Sequence, residues 1–156
     1  KTLRERGYKG PIYHNHGVGN NDFLRVCGAD CNGTFLPASP VLVAGQLPAD
    51  HPAKRLALDY IARFEALRGA GTVSAFGSYT WDAGMLLNHA VPIALKAASP
   101  GTPEFRRALR DALETTRGLA DTNGVVNMSP TDHLGLDQRA RVMVEIRNGK
   151  WLYQPR

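Results

Sequence analysis

His14, Asn15 and His16 are the first residues of this chain whose types and spacing suggest chemistry. Residues i and i+2 of an extended run project to one side, so both imidazoles of an H-x-H pair can reach a single ion. That would begin the zinc site of a small metal-dependent hydrolase, given further ligands. The remaining histidines are His51, His89 and His133, and they supply little. His51 precedes a proline at a helix start, and His89 has neither a histidine nor a carboxylate four residues on. No H-x-x-H or H-x-x-E-H motif occurs, so no metal is expected and the hydrolase stands as the alternative reading. A surface turn without a role is the plainer one. Gly17-Val18-Gly19 lacks the third glycine of a dinucleotide loop, and no acid follows at the ribose position, so no cofactor is expected. There is no G-x-S-x-G, and Ser74 and Ser78 have no evident base partner. Cys27 and Cys31, four residues apart, would share a helix face at a separation a disulfide can span. With no C-x-x-C and no third thiol, metal binding is disfavoured. In an oxidising compartment a disulfide is favoured over two free thiols, although packing alone accounts for Cys27.

The 156 residues carry 43% hydrophobic and 21% charged side chains, which is ordinary globular composition and excludes disorder and low complexity. A chain of this length buries about 70% of its unfolded surface, enough for one sizeable core. No apolar run approaches the roughly 18 residues of a membrane span. Nineteen Lys and Arg against fourteen Asp and Glu give a net charge of +5. The basic residues (Arg4, Arg25, Arg63, Arg106, Arg139) are scattered among acids rather than clustered, so a nucleic-acid partner is not expected. The first residue is Lys1, with no basic-then-apolar leader, which reads as a mature, trimmed or partial chain.

The elements that must position these residues alternate between strand and helix. Lys1 to Gly7 reads as a helix tail and Pro11 to His14 as a short strand. Asn20 or Asn21 caps a helix through Cys27. Thr34-Phe35-Leu36 and Val41-Leu42-Val43 read as strands joined by a proline-rich link. Asp50 and Pro52 open a helix with the stripe Leu56, Tyr60, Ile61, Phe64 and Leu67. A long helix follows from about Thr80 to Ala98, kinked or broken at Pro92. Thr102-Pro103-Glu104 opens another, whose stripe is Phe105, Ala108, Leu109, Ala112 and Leu113. Gly124-Val125-Val126 is extended. Alternating Val142, Val144 and Ile146, the Asn148-Gly149 turn and the returning Trp151-Leu152-Tyr153 form a β-hairpin. The order argues for an α/β fold, a parallel sheet flanked by helices with a C-terminal β-hairpin.

The series of segments resembles the C-terminal half of the periplasmic solute-binding proteins of ABC transporters. The family is that of the leucine, isoleucine and valine receptors, the type I or Venus-flytrap proteins. The pieces that carry the resemblance are Gly10-Pro11-Ile12 leading to His16-Gly17-Val18-Gly19-Asn20, then Asn32-Gly33-Thr34, then Ser78-Tyr79-Thr80-Trp81-Asp82-Ala83. Gly124-Val125-Val126 and the hairpin with its Asn148-Gly149 turn complete it. Each piece is unspecific alone, and the order over nearly the whole chain carries the weight. Family chains are roughly twice as long, which implies a fragment. The resemblance assigns residues 1–75 to lobe two, 76–138 to lobe one, and 139–156 to the hairpin returning to lobe two. Each part would then lack neighbours, and exposed apolar helix faces would favour self-association.

The resemblance also implies a function without catalysis: a periplasmic or lipid-anchored receptor closes on a small molecule between its lobes and presents it to a membrane permease. A ligand-sensing domain on the same fold is a further alternative. The ligand-binding residues implied are His16, Asn15, Trp81, Tyr79, Thr80 and His14. In amino-acid receptors of the family an acidic residue before the Gly-Val-Gly-Asn-like turn pairs with the ligand's ammonium. Here that position is His16, and an imidazole cannot replace a carboxylate as counter-ion. The expected ligand is therefore an aromatic or branched carboxylate rather than a plain α-amino acid. Trp81 would wall the cleft or pack at the hinge, and Asp82 is read as a helix-start charge.

Overall fold

A computed structural model describes residues 2–155. Its centre is a four-stranded sheet in the order β1-β2-β5-β6, with β1 at Ile12–Tyr13, β2 at Thr34–Ala38, β5 at Val142–Arg147 and β6 at Lys150–Gln154. The β1–β2 pair is parallel, and the two further pairings are antiparallel. The expected hairpin is present. Asn148 and Gly149 take φ of 51° and 69°, the left-handed pair that a two-residue turn needs, and Arg147 lies opposite Lys150. The alternation also holds. Val142, Val144 and Ile146 are buried with Leu36, Leu24, Cys31 and Trp151 in the main core. Glu145, on the opposite face, is buried but paired with Arg147 at 2.8 Å.

Around the sheet lie α1 (Thr2–Glu5), α2 (Asn21–Cys27), α3 (Lys54–Arg68), α4 (Ala75–Ala94) and α5 (Pro103–Glu114). Asn20 caps α2 by accepting from the Phe23 amide at 2.9 Å, and Thr102 caps α5 by accepting from Phe105 at 3.1 Å. A disulfide joins Cys27 at the end of α2 to Cys31 in the following 3-10 turn, Gly28–Cys31. A second sheet pairs β3 (Leu119–Ala120) with β4 (Val125–Val126).

Five local expectations are corrected. Val41-Leu42-Val43 is not a strand but part of a 3-10 segment, Pro40–Gln46. Pro40 has no N–H for a ladder and opens the 3-10 segment at its first turn, and burial continues into successive residues at Val43 and Ala44. Asp50 does not cap α3; the helix starts at Lys54 with no side-chain cap. Its buried face is centred on Ala57 and Tyr60, which pack on Val41, Ala44 and Val73, whereas Leu67 is 84% exposed. The long helix begins at Ala75, where Ser74 accepts from the Gly77 amide, five residues before Thr80. It does not break at Pro92. Pro92 has no N–H to donate to Asn88 O, yet the helix continues to Ala94, and the Leu95 amide donates to Val91 O at 2.9 Å.

Candidate functional site

Parallel pairing of β1 and β2 sends the C-terminal ends of both strands to the same edge, where loops are free to form a site. The chain leaves β1, bonds once more from the His14 amide to Phe35 O at 2.7 Å, then turns through the 3-10 segment His16–Val18. Asn15 holds that turn by accepting from the Gly17 amide at 2.9 Å. From β2 the chain passes through Pro37 and Ala38 to Ser39. The antiparallel β5 begins at the same edge, since Val142 pairs with Ala38, and this brings Arg141 there. Tyr79 of α4 reaches the edge and shares a 2.6 Å hydrogen bond with Ser39. Asn123, in the β3–β4 turn, completes a cavity of about 490 Å³ with His16, Ser39, Tyr79, Asp137 and Arg141 among its walls.

The charges of this cavity are unequally matched. Asp137 receives two side-chain hydrogen-bond donors from Arg139, at 3.0 and 2.6 Å, and the guanidinium holds its pKa down to about 2. Its charge is thereby balanced. Arg141 touches only the Gln138 side-chain oxygen, at 3.4 Å, and has no carboxylate partner among the described residues. With His16 beside it, the cavity wall is equipped for an anion, and Arg can grip a carboxylate through two parallel N–H groups.

Behind the cavity lies a buried polar cluster between α4 and the β3–β4 turn. Asp82 accepts from the Thr122 amide at 3.0 Å, from Thr122 Oγ1 at 2.8 Å and from Asn123 Nδ2. Burial, assisted by the neighbouring Asp121 charge, pushes its pKa up to about 6, against the opposing hydrogen bonds. Asp121 is raised as well, also by burial, and folds the turn by accepting from the Asn123 and Gly124 amides at 2.8 and 2.6 Å. Asp82 therefore fastens the helix to the turn and is not the helix-start charge expected, because α4 begins at Ala75 and Asp82 lies buried within it.

The structure gathers His16 and Tyr79, from the residues singled out in the sequence, into this cavity. Thr80 and Trp81 line a different groove of about 560 Å³, beside Tyr60, Phe64 and Met85, and Trp81 packs on Tyr60 with ring centroids 5.4 Å apart. His14 does not line the cavity; its ring meets Phe23 edge-on at 5.2 Å. Asn15 serves the turn. His14 and His16 do not join a third ligand, and among the described residues no group of three His, Cys, Asp or Glu is placed to hold a metal. Ser39, Asn123 and Arg141 were missed in the sequence. Two of them carried a signal: Ser39 follows a strand parallel to the first, and Arg141 immediately precedes the hairpin.

No protein-family model matches the chain, and no curated protein matches it in sequence. Solved structures do. An extracellular ligand-binding receptor from Rhodopseudomonas palustris HaA2 matches with a TM-score of 0.94 and 36% identity over 99% of this chain and 43% of its own. A second receptor so described, from Rhodopseudomonas palustris, matches at 0.93 and 38% over the same shares, 99% and 43%. A periplasmic binding protein type 1 from Bordetella pertussis Tohama I matches at 0.72 and 17%, over 99% of this chain and 41% of its own, which speaks for the fold alone. The chain thus spans less than half the length of the receptors it matches. In fold the chain is part of a type I periplasmic binding protein, and in sequence it is similar to the extracellular ligand-binding receptors.

Proposed function

We propose that the chain is part of the solute-binding component of an ABC importer, and that it contributes one wall of a cleft for a small organic carboxylate. On this reading the receptor works in the periplasm, makes and breaks no bond, and delivers its ligand to a membrane permease. Residues 1–75 and the hairpin 139–156 belong to one lobe and residues 76–138 to the other, with the cavity at their junction. The observation that carries the reading is that Arg141, with no carboxylate partner among the described residues, lines the same cavity as His16, while the one acid there, Asp137, is already neutralised by Arg139. Nothing in this wall is left to balance an ammonium, so an aromatic or branched acid fits better than an α-amino acid.

Calorimetric titration with leucine and with 4-methylpentanoate, which is leucine without its amino group, tests this. The acid is expected to bind at least tenfold more tightly than leucine. Tight binding of leucine, undiminished in His16→Ala, would refute the carboxylate reading.

A further inference from the structure

The loop from β4 to β5 brings two leucines, Leu134 and Leu136, to the cavity of about 490 Å³. Its path is fixed by bonds along its length. The Asn127 amide donates to Gly135 O at 2.8 Å, and the Ser129 amide donates to Asp132 O at 2.9 Å. Asp132 Oδ1 accepts from the Leu134 and Gly135 amides, both at 3.0 Å, and His133 Nε2 lies 3.1 Å from Glu114 Oε1. Gly135 takes a φ of 64°, and a Cβ there would stand 3.0 Å from Met128 Cγ and 3.1 Å from Val126 Cγ1. Glycine suits that bend as no larger residue does.

This tied loop holds Leu134 at the cavity with 74% of its surface exposed. The other aliphatic residues of the cavity offer less to cover: Ala38 and Ala140 are buried, and Pro37 and Leu136 are half-buried. Isolated exposed leucines are ordinary on a protein surface. This one lines the cavity that also holds Arg141, a cation with no carboxylate partner among the described residues. Covering a leucine that stands in water is favourable in proportion to the apolar area removed. Because the loop is already ordered, little of that gain is lost in fixing it.

We infer that Leu134 is a specificity-determining residue of this cavity, selecting an apolar group at the end of the ligand away from its carboxylate. The inference rests on the carboxylate reading and extends it: Arg141 and His16 hold the head of the solute, and Leu134 covers its tail.

The test is calorimetric titration of the protein with 4-methylpentanoate and, directly or by competition, with butanoate, the same acid without its two terminal methyl groups. The larger acid is expected to bind about tenfold more tightly. In Leu134→Ser that advantage is expected to fall to within about threefold, while the butanoate Kd stays within about twofold. Leu134→Met returns apolar area to the loop and is expected to restore the advantage. Should the serine variant fail to fold, Leu134→Ala takes its place with the same expectation. An advantage undiminished in Leu134→Ser, or an equal loss of both acids, overturns the inference and leaves the carboxylate reading standing. So does the absence of any advantage in the unaltered protein. Failure of both acids to bind overturns the carboxylate reading itself, and the inference with it.

Discussion

The two sides of α4 face two hollows of similar size and opposite character. One, about 560 Å³, runs between α3 and α4 and is walled by Tyr60, Phe64, Trp81 and Met85. The other, about 490 Å³, meets the ends of β1 and β2 and brings His16, Ser39, Tyr79, Asn123 and Arg141 together from five segments of chain. The larger hollow offers apolar area edged by Thr80 and Asn88, and the buried Tyr60 hydroxyl in its wall has no partner among the described residues, as Asn123 Oδ1 has none in the other. The smaller differs in its converging polar groups and in Arg141, a cation with no carboxylate partner among the described residues. Specific recognition depends on a few placed polar groups within an apolar surround, so volume is the poorer guide to which side binds.

Four experiments would break or sharpen that contrast. Arg141→Ala is expected to lower carboxylate affinity about 10- to 100-fold, the worth of a charge-assisted pair, without unfolding an exposed position; an unchanged calorimetric Kd would remove the anion from this side of α4. Next comes pH. The Asp82 carboxyl is raised in the folded protein to about 6, so folding is favoured by its proton. That stability is fully present below the ordinary carboxylate pKa and is lost as pH rises towards and through 6. Asp121 shifts the same way. Hydrogen-exchange protection factors at the Thr122 and Asn123 amides should therefore fall about tenfold between pH 5 and 7.5, and a rise over that range would contradict the buried-carboxylate account. Tyr79→Phe removes the 2.6 Å bond to Ser39; a loss of about 1 kcal/mol in unfolding free energy is expected from denaturant titration. The smallest effect is expected from Trp81→Ala. Carboxylate affinity should stay within about twofold, while loss of the ring contact with Tyr60 lowers Tm by several degrees. Were affinity to collapse in Trp81→Ala, the aromatic groove would be the binding side after all.

Tyr79, Thr80 and Trp81 show why a sequence identifies a site more readily than it resolves one. As consecutive residues they look like one cluster, yet on a helix each step turns about 100°. Tyr79 therefore reaches the strand ends while Trp81 packs on Tyr60. His14 and His16 separate for a related reason: the extended geometry that would align them ends at Tyr13, and His16 already begins a 3-10 turn. Val41 to Val43 were misread because apolar, β-branched runs do not reveal whether burial is on one side or all round.

What the sequence alone determined is local and periodic. The Asn148-Gly149 turn imposes its own hairpin through two positive φ values, and the alternation of Val142, Val144 and Ile146 fixes which face is buried. Capping at Asn20 and Thr102 sets two helix starts, and the order of these pieces was enough to indicate the family. Tertiary structure alone decided the rest. Ser39, Asn123 and Arg141 are far apart in the chain, and each is chemically ordinary until packing places it at one sheet edge. Asp82 becomes a buried anchor only because Thr122, forty residues away, donates to it. Local rules act through backbone geometry over a few residues. A binding site is a convergence of distant ones, and only the fold brings them within hydrogen-bonding reach.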